Sequence, residues 1–150
     1  MKIRRRSYLC FFSNMQQSPK ITIIGLGYVG LPLAVAFAEH YQVIGFDINT
    51  QRLQDLRNYQ DKTLEVSDNA LKQYVVSSES ELLKQQKGLW VTNVLEDLKD
   101  SNIYIITVPT PTDKNNRPVL TPLIKASETV GQVLKPNDIV VYESTVYPGA

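Results

Sequence analysis

Three glycines and one aspartate carry the chemistry most readable in this 150-residue sequence: Gly25, Gly27 and Gly30, spaced G-x-G-x-x-G, and Asp47. The glycines follow without a gap on the β-branched run Ile21, Ile23 and Ile24, which reads as a central parallel strand buried on both faces. Each glycine has a separate task in such a turn. Gly25 permits the tight exit from the strand, Gly27 lets the backbone approach a pyrophosphate with no Cβ between them, and Gly30 lets the next helix pack closely on the sheet. A helix beginning near Tyr28 would present unpaired first-turn amides and the positive end of its dipole, which is an anion site. Asp47 closes the unit near the roughly 20-residue spacing at which an acid accepts hydrogen bonds from the adenosine ribose hydroxyls. A carboxylate there repels a 2′-phosphate, so the expected cofactor is NAD and not NADP. FAD and S-adenosylmethionine sites share part of the pattern and stay open as alternatives.

These residues need a strand, a turn, a helix and a second strand to hold them, and the sequence between Lys20 and Asp47 supplies all four. Pro32 falls in the first helical turn, where a proline forfeits no hydrogen bond, and Leu33, Val35, Ala36, Phe37 and Ala38 make the helix largely apolar. The second strand is Gln42 to Phe46. Further on, Thr50 is a candidate cap for a helix through Arg52, Leu53, Leu56 and Tyr59. On spacing alone Arg52 reads as a solvated helix arginine. Helical stretches are expected from Asn69 to about Val76, with Ser67 or Asp68 as N-cap, and from Glu79 to about Gln86. Trp90 to Thr92 reads as a third strand and Leu95 to Lys99 as a helical turn. The apolar run Ile103 to Val108 suits a buried parallel strand and leads into Pro109-Thr110-Pro111-Thr112, a rigid exit at the sheet edge where open α/β folds bind ligands. A polar loop from Asp113 to Pro118, a helix from Thr121 to Leu134 and a strand from Asp138 to Tyr142 complete the pattern.

Composition narrows the partners. With 16 basic and 15 acidic residues the net charge is +1, which calls for neither nucleic acid nor an anionic membrane, and no segment approaches a spanning helix. A single cysteine, Cys10, excludes an internal disulfide framework and a cysteine-rich metal site, and fits a cytoplasmic location with no metal. The lone histidine, His40, reads as an exposed residue complementing a helix C-terminus. Residues 1–18 place Lys2, Arg4, Arg5 and Arg6 before the short apolar patch Tyr8 to Phe12; this patch is too short for a signal peptide, and a disordered extension or a start at Met15 is expected. The expected fold is a Rossmann-like, doubly wound parallel sheet in the order 3-2-1-4-5, truncated before its last strand, with an incomplete dinucleotide-binding domain over 19–150.

Four stretches resemble the amino-terminal domain of the UDP-glucose/GDP-mannose dehydrogenase family: Gly25-Leu-Gly-Tyr-Val-Gly-Leu-Pro32, Gly45-Phe-Asp-Ile-Asn49, Val108-Pro-Thr-Pro-Thr112 and Glu143-Ser-Thr-Val-Tyr-Pro-Gly149. The Thr63 to Asp68 and Leu120 to Ala126 segments look like the branch that oxidises UDP-N-acetylglucosamine or UDP-N-acetylgalactosamine at C6 for surface polysaccharides. The resemblance implies that Tyr28, Val29 and the glycines line the pyrophosphate, Asp47 the ribose and Arg52 the adenosine side, with Thr110 and Thr145 at the nicotinamide half. Thr145 would also lie beside the reacting sugar carbon; without the resemblance it reads as a strand-end threonine satisfying its own backbone.

The reaction so implied takes a sugar CH2OH to a carboxylate with two NAD, through a cysteine thiohemiacetal and thioester. Cys10 precedes the first strand and matches no catalytic position, and the family's catalytic cysteine, lysine and sugar domains find no counterpart in these 150 residues. This chain is therefore expected to be inactive alone, within a parent that is a homo-oligomer. UDP-glucose as substrate, or a non-catalytic dinucleotide-binding module, are the alternatives.

Overall fold

A computed structural model describes residues 18–146 of the chain. The expectations for residues 1–17, including Cys10 and Met15, and for the Tyr147-Pro148-Gly149 part of the last motif lie outside the described residues.

Five strands form one parallel sheet in the order β3-β2-β1-β4-β5. They are β1 (Lys20–Ile24), β2 (Gln42–Phe46), β3 (Gly88–Thr92), β4 (Ile103–Ile106) and β5 (Ile139–Tyr142). The helices are α1 (Gly30–Ala38), α2 (Thr50–Arg57), α3 (Asp68–Tyr74), α4 (Glu79–Gln85) and α5 (Thr121–Gly131), with a 3-10 turn at Leu95–Leu98. β1 is central, pairing Ile23 with Gly45 on one side and with Ile105 on the other. Its side chains alternate between faces, so Ile21 and Ile23 join one core cluster with α1, Leu53 and Leu71, while Ile24 joins the other with Leu82, Ala126 and Val130. Each such fully buried isoleucine contributes about 1.5–3 kcal/mol of transfer free energy, which fixes β1 in the middle of two helical layers. The expected strand order is the observed one.

Element ends moved for identifiable reasons. Leu31 N–H reaches Gly27 O and Leu33 N–H reaches Val29 O, but Pro32 between them has no N–H for Tyr28 O, so the continuous helix α1 begins at Gly30 and not near Tyr28. Asn49, not Thr50, caps α2: its side chain accepts from the Arg52 N–H at 3.2 Å, and Thr50 is the first helical residue. Ser67 is the α3 cap and accepts from Ala70 N–H. α5 stops at Gly131, short of Leu134, and β4 stops at Ile106, with the Thr107 N–H making a last bond to Ile24 O at 2.9 Å. His40 sits just beyond α1 with its side chain half exposed, 4.0 Å from Glu39 and edge-on to Tyr41.

β4 carries one polar group deep in the core. The Tyr104 ring is fully buried, its hydroxyl reaches the Leu98 and Ser101 carbonyls at 3.0 and 3.2 Å, and burial, with the Asp138 and Asp100 charges adding to it, pushes its pKa up to about 12. β5 forms the less covered flank: its first three residues are half-buried and Tyr142 is exposed.

Candidate dinucleotide site

The order 3-2-1-4-5 reverses direction after β1, so the carboxyl ends of β1, β2 and β4 converge on one crevice. Gly25 leaves β1 with φ at +94°, a conformation few other residues adopt, while its N–H still donates to Phe46 O at 2.8 Å. At Gly30 a Cβ would lie 1.8 Å from Gly25 O and 2.4 Å from Thr107 Oγ1, so α1 and the strand exit meet at a contact only glycine permits. Thr107 locks the same spot, its hydroxyl reaching Ile24 O at 3.0 Å and Gly25 O at 2.8 Å. Gly27 is different. Its Cβ position meets nothing within 4 Å, so no packing inside the described chain requires a glycine there.

Between these, the Leu26 peptide has left the sheet ladder and is held by side chains. Its N–H donates to Asp47 Oδ2 at 2.9 Å and its carbonyl accepts from Arg52 Nε at 2.9 Å. The other Asp47 oxygen accepts from Asn49 N–H at 2.9 Å. Arg52 is thus no solvated helix arginine. It is 8% exposed, its Nη1 donates to Asp61 Oδ1 at 2.8 Å, and its Nη2 is buried with no hydrogen bond among the described residues.

Asp61 was not foreseen. It collects five hydrogen bonds, from Arg52 Nη1, the Thr63 N–H and hydroxyl, and the Glu65 and Val66 N–H groups. Burial pushes this carboxyl up, but the Thr63, Arg52 and Val66 hydrogen bonds outweigh it and hold the pKa at about 2. The signal that could have found it is Asp-x-Thr, a spacing that lets a side chain cap backbone two residues on. Beside it, the hydrogen bond from Lys62 Nζ at 2.6 Å, and secondarily one from Gln51, lowers the Asp55 pKa.

Two clefts meet at the turn. The larger, about 750 Å³, runs from Gly25 and Gly27 past Asp47 and Ile48 to Val108 and α5. The smaller, about 430 Å³, is bounded by Tyr28, Asp47, Arg52, Lys62 and Thr63. Gly27 and Asp47 border both. Tyr28 and Val29 are well exposed ahead of α1, whose N-terminus has no side-chain cap. Thr110 and Thr145 lie outside the walls of both clefts, at the ends of the neighbouring strands β4 and β5. Thr110 Oγ1 is buried without a hydrogen-bond partner among the described residues, and Thr145 is exposed. The loops that carry them are tied by the Ser144 hydroxyl, which donates to Val108 O at 2.7 Å.

A doubly wound parallel sheet, a glycine turn opening onto an uncapped helix and an acid at the end of the second strand define a dinucleotide-binding α/β domain. Residues 19–150 match the model of the UDP-glucose/GDP-mannose dehydrogenase family, NAD binding domain, and the chain belongs to that family. It is 54% identical over 130 residues to the UDP-N-acetyl-D-glucosamine 6-dehydrogenase of Salmonella typhi and 52% identical over 130 residues to Protein CapL of Staphylococcus aureus. Both alignments cover 87% of this chain and 28% of the relative, so the chain spans little more than a quarter of the curated relatives it matches. Among solved structures, the UDP-D-ManNAc dehydrogenase of Pyrococcus horikoshii superposes with a TM-score of 0.73 at 38% identity, over 87% of this chain and 29% of that one.

Proposed function

We propose that this domain binds NAD as the cofactor half of a dehydrogenase that oxidises C6 of a UDP-N-acetylhexosamine to the uronate. The observation that carries the reading is Asp47, which stands where the two clefts meet with its carboxylate already oriented by Leu26 N–H and Asn49 N–H. Each oxygen keeps a lone pair for a ribose hydroxyl, and its charge excludes a 2′-phosphate. The open space at the Gly27 Cβ position fits a group that must approach the backbone closely, as a pyrophosphate does. Gly25, Gly27, Tyr28, Val29 and Gly30 would cradle that pyrophosphate on the α1 N-terminus. Ile48 and Val108 supply apolar cover for the adenine, and Arg52 Nη2 a donor on the adenosine side.

Held there, NAD would supply the acceptor for a hydride leaving the substrate carbon. On this chain's side, Thr110 has a hydroxyl that lacks a partner among the described residues, and Thr145 extends from the adjacent strand end; both are assigned to the nicotinamide half, Thr145 beside the sugar. The N-acetylhexosamine is supported by the relative from Salmonella typhi, named a UDP-N-acetyl-D-glucosamine 6-dehydrogenase. Cytoplasmic placement and a homo-oligomeric parent belong to the same reading, the first supported by the single cysteine. Among the described residues no helix is long and apolar enough to cross a membrane.

The test has two arms. Calorimetric titration of the chain should give saturable binding of NAD and at least tenfold weaker binding of NADP. Residues 19–150 exchanged for the matching part of the Salmonella typhi relative should yield an enzyme forming NADH with UDP-N-acetylglucosamine. No NADH from a folded chimera that binds NAD would favour a non-catalytic module.

A further inference from the structure

We infer that Asp61 is a positioning residue for the cofactor site, acting through Arg52 on the glycine turn and through its own loop on the wall of the smaller cleft; the inference rests on the NAD reading above. The Leu26 peptide lies between the strand exit and the glycine facing open space, and both its polar groups depend on side chains. Asp47 takes the N–H, and Arg52 supplies the carbonyl's partner. Arg52 can do this only while its guanidinium is held in one plane, because its stem is flexible and its charge is buried, with the side chain 9% exposed. Asp61, whose side chain is fully buried, supplies the second point of that plane and the compensating charge.

The same carboxylate holds three backbone N–H groups, Thr63 on Oδ1 with Arg52 and Glu65 and Val66 on Oδ2, so the loop that brings Lys62 and Thr63 to the cleft is anchored to the side chain that anchors Arg52. Leu64, at φ +59° and almost fully exposed, is the strained tip that this anchorage maintains. With Nε on Leu26 and Nη1 on Asp61, the buried Nη2 is the one guanidinium nitrogen without a partner among the described residues, and it belongs to a residue lining that cleft. Asp61 therefore sets where the remaining donor is presented without itself lining the cleft. An amide in its place could still accept from Arg52, but its NH2 would face the Glu65 and Val66 N–H groups, donor against donor.

The experiment is a double-mutant cycle on the full 150-residue chain, with NAD dissociation constants measured calorimetrically for the parent, Asp61→Asn, Arg52→Gln and the double variant. Asp61→Asn should weaken NAD about tenfold, the loss of roughly one hydrogen bond to a charged group, and the double variant should bind within about twofold of Arg52→Gln alone. Unchanged affinity in Asp61→Asn, or losses that multiply independently in the double variant, would overturn the inference and leave the NAD reading intact. A parent chain that binds no NAD overturns both. Should Asp61→Asn not fold, nitrogen-15 NMR of the unsubstituted chain answers instead. The Arg52 Nε–H must be slow to exchange before NAD is added, and the Nη2 resonance must shift on addition; a fast-exchanging Nε–H or an unmoved Nη2 refutes the positioning role.

Discussion

At the scale of single residues, two buried or half-buried carboxylates divide the work of the site. Asp47 orients the turn and offers its charge to the cleft, so Asp47→Asn should weaken NAD while narrowing the preference over NADP. Affinities for both nucleotides on parent and variant check this, and an unchanged preference would remove the acid from the ribose. Asp61 reports on acid stability instead. Its pKa falls from 3.8 to about 2 on folding, so the folded state gains stability fully present above about pH 4 and loses it as pH falls through about 2. The gain is on the order of 2 kcal/mol. Urea unfolding between pH 5 and pH 2 should show that loss in the parent, and Asp61→Asn, already destabilised because the buried Arg52 charge has lost its counter-charge, should show a flatter profile.

At the scale of elements, the glycine turn separates what folding needs from what a ligand needs. A Cβ at residue 30 would sit 1.8 Å from a backbone carbonyl, so Gly30→Ala must push α1 off the strand exit and should cost about 2 kcal/mol or more. A Cβ at residue 27 meets no described atom. Gly27→Ala should leave the thermal midpoint within a few degrees of the parent and still weaken NAD at least tenfold, since the methyl occupies the space the pyrophosphate needs. Thermal melts paired with NAD titrations test both. A Gly27→Ala chain that binds NAD normally would mean that no phosphate approaches there.

At the scale of the whole molecule, the central position of β1 brings the ends of three strands to one crevice, while chemistry at a sugar carbon asks for more than this crevice contains. The described residues hold no thiol, and Cys10 precedes β1 in the sequence. The 150-residue chain mixed with NAD and UDP-N-acetylglucosamine should therefore give no rise in NADH absorbance. A steady rise would show that the oxidation proceeds without the thiol adduct expected of the family, and the proposed chemistry would be withdrawn.

The strand order, the two-layer burial and the place of the glycine turn were legible in the sequence, because they follow from local signals: β-branched runs, a 3.6-residue apolar period, glycine spacing and right-handed crossovers. The caps were half legible, since Ser67 and Asn49 compete locally with neighbours of the same type. Asp61 was not, and Arg52 was placed at the site only by the family resemblance. They stand nine positions apart, and on the sequence each is an ordinary charged residue in a polar stretch. Only the folded chain brings Arg52, Asp61 and the Leu26 carbonyl together where the side chains are largely buried, so that a charge must find its partner and that partner then holds the turn.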